Sequence, residues 1–209
     1  MQKVEAMKRS LTLAGVAMAI LGWCAPWVTS TRQLVALTYN ALDLTEFCKF
    51  ISRAGIATIT REWFLVPLIA AALALALWAS QPAHLSAEWR YALVCLAVIF
   101  SLVPAPPYPY VLKAYASVED RGPFWLSVAG LIGVVLIFVV GRCINGRWRS
   151  VMFIALALIG ALPAAWEFLS RVLPAISTVY ASPAMPAWGF FVTVMGFAVI
   201  IVGVVVRET

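Results

Sequence analysis

Residues 63–80 read WFLVPLIAAALALALWAS, a run that contains no charged side chain. A continuous apolar run of about 18 residues or more is long enough to cross the hydrocarbon layer of a membrane as a helix. A barrel strand would instead alternate apolar and polar residues, and this run does not. The stretch therefore predicts a transmembrane helix.

Other parts of the chain have the same character. Together with Trp63–Ser80, the apolar stretches are Leu11–Val28, Glu88–Val103, Phe124–Gly141, Val151–Leu169 and Gly189–Val206. Six crossings of about 20 residues each use most of the chain. We therefore predict an all-α integral membrane protein, a bundle of about six transmembrane helices that forms one polytopic domain over residues 1–209. Four or five crossings are the alternative, because prolines from Pro104 onward shorten the third stretch.

The overall composition supports this interpretation. The chain is 64% hydrophobic and 11% charged, whereas a soluble domain is about half apolar and about one quarter charged. This excludes a soluble fold and makes the lipid bilayer the first expected partner. The net charge of +6 lies in short clusters beside apolar segments, and not on one face as nucleic-acid binding requires. No nucleic-acid partner is expected.

The positions of the basic residues predict the orientation. One set of connections is very short and dense in Lys and Arg: it holds Lys3, Lys8, Arg9, Arg90, Arg142, Arg147, Arg149 and Arg207. Short loops rich in Lys and Arg stay on the cytoplasmic side. We therefore expect both termini in the cytoplasm, in a plasma membrane or a bacterial inner membrane.

The stretches also pair loosely into three helical hairpins. Trp63, Trp125 and Trp188 each stand where the chain re-enters the membrane, about 62 residues apart. One interpretation is a threefold hairpin repeat, an organisation that many transporters have. The alternative is that tryptophans and prolines simply mark the membrane interfaces.

The first outer connection, 29–61, is predicted to contain an amphipathic helix on the outer face. Asp43 and Glu46 have the spacing of a capping box, in which each side chain accepts from the other residue's backbone N–H. The apolar residues that would then share one face are Leu44, Phe47 and Ile51. Gly55 is expected to end this helix. A second short helix is expected within Tyr110–Asp120.

Few residues are candidates for chemistry. The apolar stretches hold no carboxylate in their middle thirds; the nearest is Glu167, four residues before Arg171. That spacing favours an ion pair on one helix face at the membrane interface. The alternative is a site for ion coupling or proton transfer, because transporters keep such groups in their pathways.

The cysteines and the single histidine add little chemistry. Cys24 and Cys48 both fall on the outer side, where oxidation can join them in a disulfide. The disulfide is one possibility; the interpretation that we prefer is two buried free thiols that pack as small core residues. His84, in a short inner loop, is expected to be solvated. One histidine cannot supply a haem or zinc site, so we expect no metal, no cofactor and no enzymatic activity.

Two functions fit these observations. The first is a non-catalytic multi-pass membrane subunit of a larger membrane complex, which binds other protein subunits through its helices and its outer face. The second is a permease-type transporter, or a component of one, for a small or lipophilic solute. A membrane-embedded enzyme ranks third, because no catalytic set of residues is visible in the sequence.

Overall fold

The computed structural model describes residues 2–30, 38–81, 86–107 and 109–205, with side chains from residue 10 onward. His84 lies outside the described residues. The fold is mostly helical. Its long helices are α1 (Gln2–Cys24), α3 (Val66–Ala79), α4 (Ala87–Leu102), α5 (Arg121–Val140), α6 (Gly146–Glu167) and α8 (Trp188–Val205). The shorter elements are β1 (Pro26–Ser30), β2 (Thr38–Asn40), α2 (Ala41–Arg53), α7 (Leu173–Val179) and β3 (Ala184–Pro186).

The described residues contain three helical segments that are long and apolar enough to cross a membrane: α5, the continuous segment Gly146–Val179, and α8. The predicted bundle of six crossings is not supported by this criterion. The apolar segments Ser10–Cys24 and Val66–Ala79 are shorter. Helix α4 has 16 residues, which gives a length of about 24 Å. The protein is therefore a helical protein with three candidate membrane-spanning segments.

Helix α3, which forms from the apolar run at residues 63–80, lies at the centre of the bundle. Eleven of its 14 residues are buried, and it contacts α1, α4, α5 and α6. A helix that is apolar on all sides is expected to be enclosed by others. Its many alanines let the neighbouring helices approach closely. The 3-10 turn Arg61–Phe64 leads into it and shortens the regular helix.

Helices α1 and α8 form the most extensive contact in the bundle. Glycines make this contact possible. A Cβ atom placed on Gly15 would lie 2.7 Å from the carbonyl oxygen of Gly196, and one on Gly22 would lie 2.8 Å from that of Gly189. Real Cβ atoms do not approach carbonyl oxygens so closely, so the two backbones touch along a seam that only glycine allows.

The prediction of an all-α fold is wrong in one place. An antiparallel sheet with the strand order β2-β1-β3 joins the chain between α1 and α2 to the chain between α7 and α8. Val28 of β1 pairs with Tyr39 on one side and with Pro186 on the other. Helix α1 cannot continue through Pro26, because proline lacks the N–H that the next helical turn needs. We call the end of the bundle that carries this sheet the sheet end.

The amphipathic helix predicted within 29–61 is present as α2, but it begins earlier than predicted. Asn40, not Asp43, is the N-cap: its side chain accepts from the N–H of Asp43 at 2.9 Å. Asp43 in turn accepts from the N–H of Asn40 at 3.2 Å. The capping box therefore joins Asn40 to Asp43, and Glu46 takes no part in it. Asparagine caps at least as well as aspartate, so the upstream residue starts the helix.

The end of α2 follows the prediction. Gly55 has a φ of 68°, and the N–H of Ile56 donates to the carbonyl of Ile51 at 3.2 Å. This is the glycine-terminated helix end known as the Schellman motif. The predicted apolar face is buried, since Leu44, Phe47 and Ile51 all lie in the core.

The predicted helix in the second outer connection corresponds to a 3-10 turn at Tyr110–Lys113. The three predicted hairpins correspond to α1 with α3, α4 with α5, and α6 with α8, and the two helices of each pair are in contact. Their surroundings differ, because α3 is buried whereas only four of the 20 residues of α5 are. A threefold repeat stays a prediction.

Candidate binding sites at the sheet end

An aromatic cluster fixes the position of the elements at the sheet end. The ring of Trp27 lies edge-on to those of Phe64, Phe168 and Phe190, with centroids 5.5–6.0 Å apart. The indole N–H of Trp27 donates to the carbonyl of Gly22 at 3.1 Å. Such rings contribute about 0.5–1.5 kcal/mol per pair beyond their burial. They hold β1, the turn before α3, the end of α6 and the start of α8 together.

An ion-pair network covers one side of this cluster. Glu119, in the second outer connection, accepts from the Nε of Arg53 at 2.9 Å and lies 3.4 Å from the ammonium of Lys49. Both cations belong to α2. The hydrogen bond from Arg53 lowers the pKa of the Glu119 carboxyl, and the hydrogen bond from Lys49 adds to this effect. The network therefore ties α2 to the second outer connection.

Arg61 stands at the centre of the network and is mostly buried. Its guanidinium lies 3.6 Å from Asp120 and 3.7 Å from Glu46. It also donates to the backbone carbonyl of Glu119. A buried guanidinium needs such partners, because an unpaired charge is costly away from water. The sequence analysis did not identify Arg61 as a functional residue. The feature that could have indicated it is an arginine at the start of an apolar stretch, with acidic residues in two of the connecting loops as possible partners.

A cavity of about 640 Å³ opens beside Arg61. Its two walls differ in character. One is apolar and is built largely from the proline-rich chain that follows α4, whereas the other carries the charges of the network. The residues that line it are Leu42, Thr45, Glu46, Lys49, Arg61, Leu65, Val103, Pro104, Ala105, Pro106, Pro107, Tyr110, Glu119, Asp120 and Pro123.

Glu167 and Arg171 are brought together as the sequence predicted, with the Nη1 of Arg171 3.5 Å from the Oε1 of Glu167. Glu167 is the last residue of α6, and Arg171 lies within the π-helical turn Phe168–Val172, which continues α6 into α7. Glu167 is only 4% exposed. Its Oε1 also accepts from the backbone N–H of Thr60 at 3.1 Å. The pair is therefore not a surface contact, because its carboxylate is buried and holds a backbone donor.

A second cavity, of about 430 Å³, lies against this carboxylate. Its lining residues are Trp63, Leu162, Pro163, Trp166 and Glu167. The walls are aromatic and aliphatic, and Glu167 supplies the carboxylate.

Cys24 and Cys48 are not joined by the disulfide that the sequence left possible. Cys24 is a free, exposed thiol and Cys48 is a free, buried thiol. Burial raises the pKa of the Cys48 thiol to about 12, and the negative charge of Glu167 adds to the effect. Cys48 therefore packs as a small core residue, as the preferred interpretation of the sequence expects. The expectation that Cys24 is buried too is wrong, since its thiol is exposed.

At the opposite end of the bundle, the arginines that predicted the orientation also close helix ends. The Nε of Arg90 donates to the carbonyl of Ala79, the last residue of α3, at 3.0 Å. Arg149 donates to the carbonyls of Gly141 and Ile144 at 2.9 and 3.1 Å. Cations at helix C-termini satisfy carbonyls that lack a partner within the helix. These arginines therefore have a structural role in addition to any effect on orientation.

Among the residues that the structure describes, no group of three or more His, Cys, Asp and Glu side chains could hold a metal ion. A scan against protein-family models finds no match, and searches of curated proteins and of solved structures find none either. The two cavities described above and the surfaces around them are candidate sites within the described part of the chain.

Proposed function

We propose that this protein is a non-catalytic multi-pass subunit of a larger membrane complex and that it binds a partner subunit through its sheet end. The observation that carries this proposal is an exposed apolar patch on the second outer connection. Its residues are Tyr110, Leu112, Tyr115 and Val118, of which Val118 is 89% exposed. Contiguous apolar side chains at a surface mark sites of interaction with proteins or membranes.

The surroundings of the patch favour a protein partner over lipid. Arg53 and Glu119 of the ion-pair network stay partly exposed beside it, and Lys113 lies within the same segment. An apolar centre with a charged rim is the usual anatomy of a protein interface. The occupant that we propose is the outer segment of another membrane protein.

The proposed topology has six crossings with both termini in the cytoplasm and the sheet end outside. The helices that are shorter than the three candidate spans each pack against at least one of them: α1 against α8, α3 against α5 and α6, and α4 against α5. The 3-10 turn Arg61–Phe64 lengthens the path of α3 toward the sheet end. Because α3 is surrounded by other helices, protein can satisfy the polar groups at its ends.

Site-specific photo-crosslinking tests the partner. A photoreactive residue at Tyr115 should capture one discrete membrane protein in native membranes, and the same protein should co-migrate with the chain in mild detergent. Leu112→Ser combined with Val118→Ser should weaken that co-migration by about tenfold or more. Leu136→Ser, at an exposed position on α5, is the matched control and should leave it unchanged. Crosslinks to lipid alone would contradict the proposal.

A transporter is the second candidate, and the buried carboxylate of Glu167 favours it. Ion-coupled carriers keep such groups despite their cost. The two candidates differ in what Glu167→Gln does. The variant should keep its partner if the protein is a subunit, whereas it should abolish solute flux into liposomes while staying folded if the protein is a carrier.

A further inference from the structure

We propose that the cavity beside Glu167 binds an organic cation, namely a protonated or quaternary alkylamine. Its volume of about 430 Å³ falls within the range of small-molecule sites, about 300–1,000 Å³. It combines a buried carboxylate with two tryptophans and an aliphatic wall. Each of these features restricts the chemistry of the occupant.

The carboxylate of Glu167 has one oxygen in use and one available. Oε1 receives the N–H of Thr60 and the guanidinium of Arg171. Among the described residues, no donor lies within hydrogen-bonding distance of Oε2. Oε2 is not among the described side-chain oxygens that are fully enclosed without a partner, and Glu167 lines the cavity. An occupant of the cavity can therefore reach this oxygen, and a cation or a donor is what a carboxylate oxygen binds.

Arg171 does not remove this requirement. Its guanidinium lies at the far limit of contact, 3.5 Å from Oε1, and its side chain is 52% exposed. It also donates to the carbonyl of Thr58 at 3.3 Å. Arg171 therefore approaches one edge of the carboxylate and leaves the other to an occupant of the cavity.

The tryptophans define the kind of cation. Trp63 and Trp166 line the same cavity as the carboxylate, and the face of an indole attracts cations more strongly than that of other aromatic rings. Leu162 and Pro163 complete the wall. Aliphatic walls suit the alkyl groups of an amine and not the hydration shell of a metal ion. The cavity is thus matched to an alkylammonium group.

The cavity lies near the end of α6, at the sheet end, and it shares no residue with the apolar patch 110–118. Its proposed ligand is independent of the proposed partner. An alkylammonium group can arrive there from two sources: the head group of a choline or ethanolamine lipid, or an amine dissolved on the same side of the membrane.

Calorimetric titration of the full-length protein with choline chloride tests the proposal, in nanodiscs made only of phosphatidylglycerol. The comparison ligand is 3,3-dimethylbutan-1-ol, which has the shape of choline without the charge. We expect the neutral alcohol to bind at least about tenfold more weakly than choline. Equal affinity for choline and the neutral alcohol would show that the site recognises the shape of the ligand and not its charge, and would overturn the proposal.

Two variants locate the binding. Glu167→Gln keeps an oxygen for the N–H of Thr60 but removes the charge, and Trp166→Leu removes an indole that is 71% exposed and so leaves the core intact. Each should weaken choline binding by about tenfold. Trp125→Leu, at a tryptophan 54% exposed on α5, is the matched control and should not. Unchanged affinity in both Glu167→Gln and Trp166→Leu would refute the site.

Repeating the titration in phosphatidylcholine nanodiscs identifies the source. If the natural occupant is a lipid head group, phosphatidylcholine should compete with free choline for the site. Free choline should then bind more weakly in phosphatidylcholine nanodiscs than in phosphatidylglycerol nanodiscs. If the natural occupant is a dissolved amine, free choline should bind with the same affinity in both kinds of nanodisc. Both results support the alkylammonium site, which is refuted if no choline binds in phosphatidylglycerol.

Discussion

Glu167 and Thr60 are 107 residues apart in the sequence, yet the carboxylate of Glu167 accepts the backbone N–H of Thr60 at 3.1 Å. This bond joins the end of α6 to the chain that leads into α3, the central helix. A buried carboxylate that holds a backbone donor acts as a clamp between two elements. It also explains how a charged group near the membrane is tolerated, since the bond and Arg171 together satisfy one of its oxygens.

Substitutions at Glu167 should separate the two parts of this clamp. Glu167→Gln keeps an oxygen that can accept the backbone N–H of Thr60, and it should lower the free energy of unfolding by about 1 kcal/mol. Glu167→Leu leaves that N–H without an acceptor and should lower the free energy of unfolding by about 2–3 kcal/mol. Arg171→Gln, at a half-exposed position, should cost at most about 1 kcal/mol. Reversible unfolding in mixed micelles measures all three. Equal losses for Gln and Leu would show that the bond to Thr60 contributes nothing.

The glycine seam between α1 and α8 gives a second prediction. Gly196→Ala would place a methyl group 2.7 Å from the carbonyl oxygen of Gly15, and overpacking of this kind costs about 1–3 kcal/mol. Gly133→Ala is the matched control, since its methyl group would meet only the side chain of Leu73, which can move. That substitution should be neutral or slightly stabilising in a helix. Thermal unfolding of the two variants side by side measures the difference.

How far the sequence predicts this fold depends on how local each signal is. The positions of the long helices follow from continuous apolar runs, and α3 was identified from residues 63–80 alone. Not all their bounds do, since the predicted stretch Leu11–Val28 runs past the end of α1 at Cys24 into β1. The sheet was missed because its strands lie far apart: β1 and β3 pair Val28 with Pro186. Such pairing leaves no periodic signal in short, buried or proline-containing strands.

The candidate sites show the same limit. The spacing of Glu167 and Arg171 predicted their contact, because residues four apart share a helix face. Nothing in that spacing indicated that Thr60 would lie on the same carboxylate. Burial of Glu167, which is 4% exposed, depends on the chain around Thr60 packing against the end of α6, and no local pattern in a single sequence encodes that packing.

The start of α2 gives a third prediction. Asn40→Ala should destabilise the first turn by about 1 kcal/mol, because the backbone N–H of Asp43 loses its side-chain acceptor. Glu46→Ala should have a smaller effect, since Glu46 is outside the capping box and its side chain is 68% exposed. Limited proteolysis in membranes, read at the first outer connection, measures both. Faster cleavage in Glu46→Ala than in Asn40→Ala would restore the capping role that the sequence suggested for Glu46.

The contact between Glu119 and α2 should weaken in acid. Arg53 lowers the pKa of the Glu119 carboxyl below its ordinary value of 4.5, so the folded state holds its proton less tightly than the unfolded one. The stabilisation is therefore present above pH 4.5 and is lost as the pH falls through the folded value. The hydrogen-exchange protection factors of the α2 amides, which are corrected for the intrinsic pH dependence of exchange, should fall over that range. Arg53→Gln should reduce the pH dependence, and the part that remains should come from Lys49. An unchanged pH dependence in that variant would contradict the role of Arg53.

Cys48 should titrate in the opposite sense, at alkaline pH. Its thiol has a pKa of about 12 in the folded protein against an ordinary value of 9.0, chiefly because it is buried. The folded state therefore keeps a proton that the unfolded state loses, so the stabilisation is present below pH 9.0 and disappears between pH 9.0 and about 12.

Thiol labelling tests this on two single-cysteine variants. Only the thiolate reacts with a maleimide or a disulfide reagent, so at pH 8 a chain that retains only Cys48 should stay unlabelled until denaturant unfolds it. A chain that retains only Cys24, which is exposed, should be labelled while folded. The labelling rate of Cys48 should then follow the fraction of unfolded protein and not the titration of the thiol. The reason is that the packing around Cys48 both blocks the reagent and keeps the thiol protonated. If Cys48 reacts as fast as Cys24 in the folded protein, α2 does not cover it as described, and the attachment of α2 to the bundle through Leu44, Phe47 and Ile51 would have to be looser than their burial indicates.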